Sequence, residues 1–143
     1  MPEFLESLRY LSFKAQGGRC YYCGAPIWQH DPAEFAARHG LTLRLARRLQ
    51  CTAEHLVARR DGGKSKHGNI VAACLFCNSN RHRRRRAPSA SAYRKLVARR
   101  MGRQKWHPEQ IHRMLASSPT PAERRPAQHR DQVVREGLRS AVS

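Results

Sequence analysis

The sequence predicts a small α+β domain, and three observations predict it. Two short apolar segments, residues 51–57 and 69–74, flank a loop that opens with Asp61-Gly62-Gly63 and read as paired strands. Helical periodicity lies on either side of them. Four of the five cysteines fall in two pairs, Cys20-x2-Cys23 and Cys74-x2-Cys77, which can staple a core too small to hold itself.

In chain order, residues 3–16 set Phe4, Leu5, Leu8, Leu11 and Phe13 at helical spacing and stop at Gly17-Gly18. Residues 19–27 read as a short strand and knuckle turn, with Gly24 directly after the second cysteine. Asp31-Pro32 is an N-cap and first-turn pair for a helix that runs to His39 and ends at Gly40. Thr42 caps the next helix, which carries Leu43, Leu45, Ala46 and Leu49. After the two strands, the pattern from Leu75 is helical and runs into the basic stretch 81–86, broken at Ala87-Pro88. Ser89 or Ser91 caps a basic helix reaching about Gly102, and residues 108–115 form the last helix. Beyond Ser117 the chain is rich in Pro, Arg and Gln and is expected to be disordered, with 133–138 able to turn helical on a partner. There is no internal repeat.

Composition narrows the class. Apolar residues make up 40% of the 143 residues, and mean hydropathy is −0.74. The N-terminus lacks a basic region and a small-residue cleavage site, and no apolar run approaches a membrane span, so an intracellular, cytoplasmic protein is expected. In that setting paired cysteines favour metal over disulfides. The 28 Lys and Arg against 10 Asp and Glu give a formal charge of +18. Between Glu34 and Glu109 the only acids are Glu54 and Asp61, set among 19 Lys and Arg. A surface nearly free of acid suits a phosphate polymer, DNA first and RNA second. No membrane partner is expected, because no exposed apolar helix face accompanies the charge.

Four thiolates are the number that closes a tetrahedral zinc site, and two CxxC turns brought together form the tetrahedron. Cys51 is the leftover and reads as a small buried strand residue. The segment 54–82 is denser still. Glu54 and His55 lie where the first strand ends, Asn69 opens the returning strand, and Asn78 and His82 share one helix face at i and i+4. Adjacent strand residues point to opposite faces, so Glu54 and His55 meet one site only if the strand bends there. The blander readings are an exposed strand-end His55, a Glu54 paired to a nearby Arg, an Asn69 that merely caps a turn, and a His82 belonging to the basic face. His67 reads as solvent-exposed, and His30, His39, His107, His112 and His129 match no motif.

Together, Glu54-His55, Asp61-Gly62-Gly63, Asn69, Cys74-x2-Cys77-Asn78 and His82 resemble an HNH endonuclease of ββα-metal fold, and Cys20/Cys23 resemble its zinc-stabilised members. The resemblance covers roughly residues 14–86. It implies a nuclease domain over 1–88, a basic helical extension over 89–116 and a disordered basic tail over 117–143. It implies that His55 is the general base and that Asn69 holds the loop and orients the His55 ring. Glu54, Asn78 and His82 would sit on a divalent cation, while Cys20, Cys23, Cys74 and Cys77 hold structural zinc. The family often has His after the second CxxC, where this chain has Asn78. A carboxylate, an amide and an imidazole lean towards Mg2+ or Mn2+.

The basic run adds Arg81, Arg83, Arg84, Arg85 and Arg86 as nucleic-acid contacts, set against the plainer reading of a solvated helix end. Tyr93 and Trp106 can stack on bases, yet core packing is the preferred role for both. The expected function is metal-dependent hydrolysis of phosphodiester bonds in DNA. The alternative is a zinc-containing nucleic-acid-binding module with a degenerate site. Target sequence, strand choice and oligomeric state are not encoded in any motif.

Overall fold

The computed structural model describes residues 3–117. Six helices, one two-stranded sheet and one 3-10 turn follow in the order α1 (Glu3–Ala15), α2 (Pro32–His39), α3 (Leu43–Arg48), β1 (Cys51–His55), the 3-10 turn Arg59–Asp61, β2 (Ile70–Cys74), α4 (Leu75–His82), α5 (Ala90–Gly102) and α6 (Glu109–Ser117). The tail beyond Ser117, with the 133–138 segment and His129, lies outside the described residues. Among the described residues no helix is long and apolar enough to cross a membrane.

Local chemistry sets the helix ends. Asp31 accepts from the Glu34 amide at the start of α2, and Thr42 and Ser89 cap α3 and α5 in the same way. Gly40 closes α2 at φ 64°, a conformation open to glycine without strain. β1 and β2 pair antiparallel, with Cys51 opposite Cys74, Glu54 opposite Val71 and His55 opposite Ile70. The chain then passes from β2 directly into α4, where the Cys74 sulfur accepts from the Cys77 amide as its cap. Sheet and helix thus make a ββα unit.

α1 backs the sheet. Leu5 and Leu8 pack on Ile70, Ser12 Oγ donates to the Ile70 carbonyl at 2.9 Å, and the Gln16 amide pairs with both backbone groups of Ala72. Gln16, together with the Tyr21 amide that also donates to the Ala72 carbonyl, thereby satisfies this strand edge.

Three elements differ from the sequence reading. Residues 19–27 form no strand; a single bridge, Arg19 to Pro26, closes the cysteine turn. β1 stops at His55 rather than Val57, because the following carbonyls turn away to another partner, described below. α4 ends at His82 and does not continue through the arginines. Like charges one turn apart repel, and the approach to Pro88 disfavours helix.

The segment 89–116 is not peripheral. Tyr93, Val97, Trp106, Ile111 and Met114 enter the same core as Cys20, Leu49 and Cys77. Tyr93 is 1% exposed and its hydroxyl donates to the Cys77 carbonyl at 2.7 Å, while Trp106 Nε1 donates to Cys77 Sγ at 3.3 Å. Both aromatics therefore pack inside. His112, which matched no motif, accepts from the backbone amides of Trp106 and His107 and so pins the loop before α6.

The loop between the strands is held by two devices. Gly63 has no room for a side chain, since a Cβ there would lie 1.7 Å from the Val57 carbonyl oxygen. Asn69 spans the same loop, accepting from the Val57 amide at 2.8 Å and donating to the carbonyls of Val57 and Lys64. Gly63→Ala is expected to lower stability by about 1–3 kcal/mol in urea unfolding, because backbone rather than a flexible tip must move. An unchanged midpoint would show that the loop yields freely.

Candidate active site

Two centres sit on opposite ends of α4. At its start, the sulfurs of Cys20, Cys23, Cys74 and Cys77 all lie within 4.8 Å of one another. Cys20 sits on the turn after α1, Cys74 at the end of β2 and Cys77 in the first turn of α4. Amide donors of Tyr22, Cys74 and Cys77 point at sulfurs of Cys20 and Cys74 at 3.2–3.4 Å. Such donors, with Trp106 on Cys77, favour thiolate over thiol. Four converging sulfurs in a buried, donor-lined nest are the ligand set of a zinc-type metal site. Cys51, 2% exposed on β1, lies outside it.

At the far end of α4, Glu54, His55, Asn78 and His82 line one cavity of about 370 Å3, walled by Arg59 and Arg60. Glu54 is 1% exposed, and its carboxylate is shared among three partners. His82 Nε2 lies 2.9 Å from Oε1, while Tyr22 Oη donates to Oε2 at 3.1 Å and an Arg81 nitrogen stands 3.4 Å from it. Burial and the Glu54 charge hold the Tyr22 phenol well above its ordinary range, so it stays protonated and donates. Asn78 fixes its amide nitrogen on Thr52 Oγ1 at 3.0 Å, with Ala53 O farther off at 3.4 Å, which leaves its carbonyl oxygen for another ligand. A carboxylate, an imidazole and an amide lining one cavity are donor types that suit a divalent cation.

His55 shows the bend that the strand requires. Arg81 donates to the carbonyls of His55 and Leu56, each at 3.0 Å, and so draws the chain off the sheet where β1 ends. The His55 ring is half-buried beside Ser65 Oγ, 2.9 Å from Nε2, and Arg59 Nε donates to the same nitrogen at 3.3 Å. Burial, and then the Arg59 charge, lower its pKa from the ordinary 6.5, so the neutral ring prevails at neutral pH.

Asn69 stands apart from this cavity and makes no hydrogen bond to His55. Ser65 is the residue that touches the ring, one position after the Lys64 carbonyl that Asn69 holds. Arg81 also departs from the sequence reading. It is 3% exposed, and its guanidinium is spent on Glu54, Tyr22 and three carbonyls, so no nitrogen is free for phosphate. Its position one residue before His82 turns it inward, whereas Arg83, Arg84, Arg85 and Arg86 stay exposed. Tyr22, Arg59 and Ser65 escaped the sequence reading altogether. Tyr22 sits inside the first CxxC, the sole signal that it accompanies a metal turn.

Arg81 is expected to be the costliest of these supports. Arg81→Met leaves the Glu54 carboxylate buried without its cation and should lower stability by about 3–5 kcal/mol in denaturant unfolding. Tyr22→Phe removes the hydrogen bond donated to Glu54 and the one accepted from Arg81, and should cost about 1–3 kcal/mol. Equal costs for the two variants would show that the Arg81 charge carries no weight there.

No curated protein and no solved structure matches the chain. The family model described as HNH endonuclease does, over residues 20–84. That span begins at the first cysteine, takes in β1, β2 and α4, and ends just past His82, so it contains both centres. Residues 20–84 of this chain are thus a nuclease-type domain of the HNH endonuclease family, built around a cluster of four cysteines.

Proposed function

We propose that the chain is a metal-dependent endonuclease that hydrolyses phosphodiester bonds in DNA. One observation carries the reading: Glu54, His55, Asn78 and His82, from two elements, face a single arginine-walled cavity. Water occupies about 30 Å3 in the liquid, so a cavity of about 370 Å3 has room for a phosphodiester group, a cation and an attacking water.

Arg59 and Arg60 attract the phosphate and hold it against the wall. The neutral His55 ring takes a proton at Nε2, the nitrogen that accepts from Arg59, as the water oxygen bonds to phosphorus. The bond from phosphorus to the 3′ oxygen breaks and that oxygen takes a proton from solvent water, which leaves a 5′-phosphate and a 3′-hydroxyl. Glu54, Asn78 and His82 would hold Mg2+ or Mn2+, which when bound would polarise the phosphate and neutralise charge on the departing oxygen. Tyr22 and Arg81 fix the Glu54 carboxylate, and Ser65 the His55 ring.

Incubating the purified protein with supercoiled plasmid tests this. Nicking is expected with Mg2+ or Mn2+ and none in EDTA. A protein that binds the plasmid but leaves it supercoiled with every divalent ion would be a nucleic-acid-binding module with an inert site.

A further inference from the structure

A second concavity, a groove of about 660 Å3, lies where α3, α4 and the start of α6 meet. Leu45, Leu75 and Phe76 give it an apolar floor, Arg44, Arg47 and Arg48 stand around it, and among the described residues no acid lines it. It shares α4 with the candidate active site. Leu75, Asn78, Ser79 and His82 are at i, i+3, i+4 and i+7, one face of the helix. Asn78 and His82 open on the active cavity, Leu75 and Ser79 on the groove. From His82 back to Leu75 is about 10 Å of helix axis, a reach of a few nucleotides.

Two features fit a flat, apolar, phosphate-bearing ligand. Arg48 lies over the Phe76 ring with its guanidinium carbon 3.7 Å from the centroid, and a contact to His107 Nδ1 at 3.4 Å steadies it there. A guanidinium held over an aromatic ring offers a plane on which a nucleobase stacks. Arg44 and Arg47 are exposed beside it, placed for the adjoining phosphates. A base inside a duplex is already stacked and paired, so it cannot enter such a groove without being pulled out.

We propose that the groove receives an unpaired base of the strand whose phosphate enters the active cavity, so the substrate is single-stranded beside the cut. This rests on the nuclease reading for the position of the strand. The stacking itself is independent of hydrolysis, which lets the two be tested apart.

The test is fluorescence anisotropy in EDTA, with a short labelled mixed-sequence strand and the same strand in a duplex. Charge alone favours the duplex, which is the denser polyanion. Wild-type protein is expected to bind the single strand more tightly. Leu75→Gln, on an exposed position where a thermal melt confirms folding, should weaken single-strand binding about tenfold and leave duplex binding unchanged. Arg47→Gln should weaken both. Tighter or equal binding of the duplex by wild type, or unchanged single-strand binding by Leu75→Gln, overturns the groove. A protein that cuts neither plasmid nor the single strand with any divalent ion, yet keeps the Leu75-sensitive preference, refutes the nuclease and retains the base groove.

Discussion

His55→Ala is expected to slow metal-dependent nicking of supercoiled plasmid by about 10²–10⁴-fold, the usual worth of a positioned general base. The structure makes this a clean substitution. The ring is half-buried and among the described residues hydrogen-bonds to Ser65 and Arg59, while the feature that bends the chain is the His55 carbonyl, which alanine keeps. Stability should therefore change by no more than about 0.5 kcal/mol, and a thermal melt beside the nicking assay separates loss of chemistry from loss of fold. Equal nicking by variant and wild type would sink the assignment of His55, whatever the metal dependence.

The second large effect concerns the cysteine cluster. Cys74→Ser is expected to abolish zinc binding, read by metal analysis of the purified protein, and to unfold the domain. Structural zinc sites of this kind supply apparent binding energies on the order of 10 kcal/mol, comparable to the whole stability of a small domain. Cys74 has more than one job here: it ends β2, caps α4 and lies 4.0 Å from the Cys23 sulfur. Its loss frees α4, and with it Asn78 and His82. Cys51→Ala is the control. Cys51 is buried directly opposite Cys74 in the sheet but outside the cluster, so that variant should keep zinc and fold. Zinc retained by Cys74→Ser, or lost equally by Cys51→Ala, would redraw the ligand set.

Much of this was legible residue by residue. The capping signals at Asp31 and Thr42, the Gly-Gly turn and the two CxxC pairs each act over a few positions, so sequence spacing alone located them. The departures share one cause. Arg81 read as one of a basic run, yet it is buried, because helical phase turns it towards Glu54 while its neighbours stay in water. Tyr22 carries no signal beyond its place inside the first CxxC, yet its hydroxyl meets a carboxylate that lies 32 positions away. Nothing in the one-dimensional pattern encodes that meeting.

The sequence by itself determined the α+β class, the four-sulfur set, and the ordered Glu54, His55, Asn69, Asn78 and His82, since donor types and short spacings are local properties. Only the tertiary structure decided which of them share a cavity. It set Asn69 outside with the loop, gave the His55 ring to Ser65 and Arg59, and placed the basic α3 beside α4. Burial is the reason: once Glu54 lost its water, a charge and two hydrogen-bond donors had to be brought to it from distant parts of the chain.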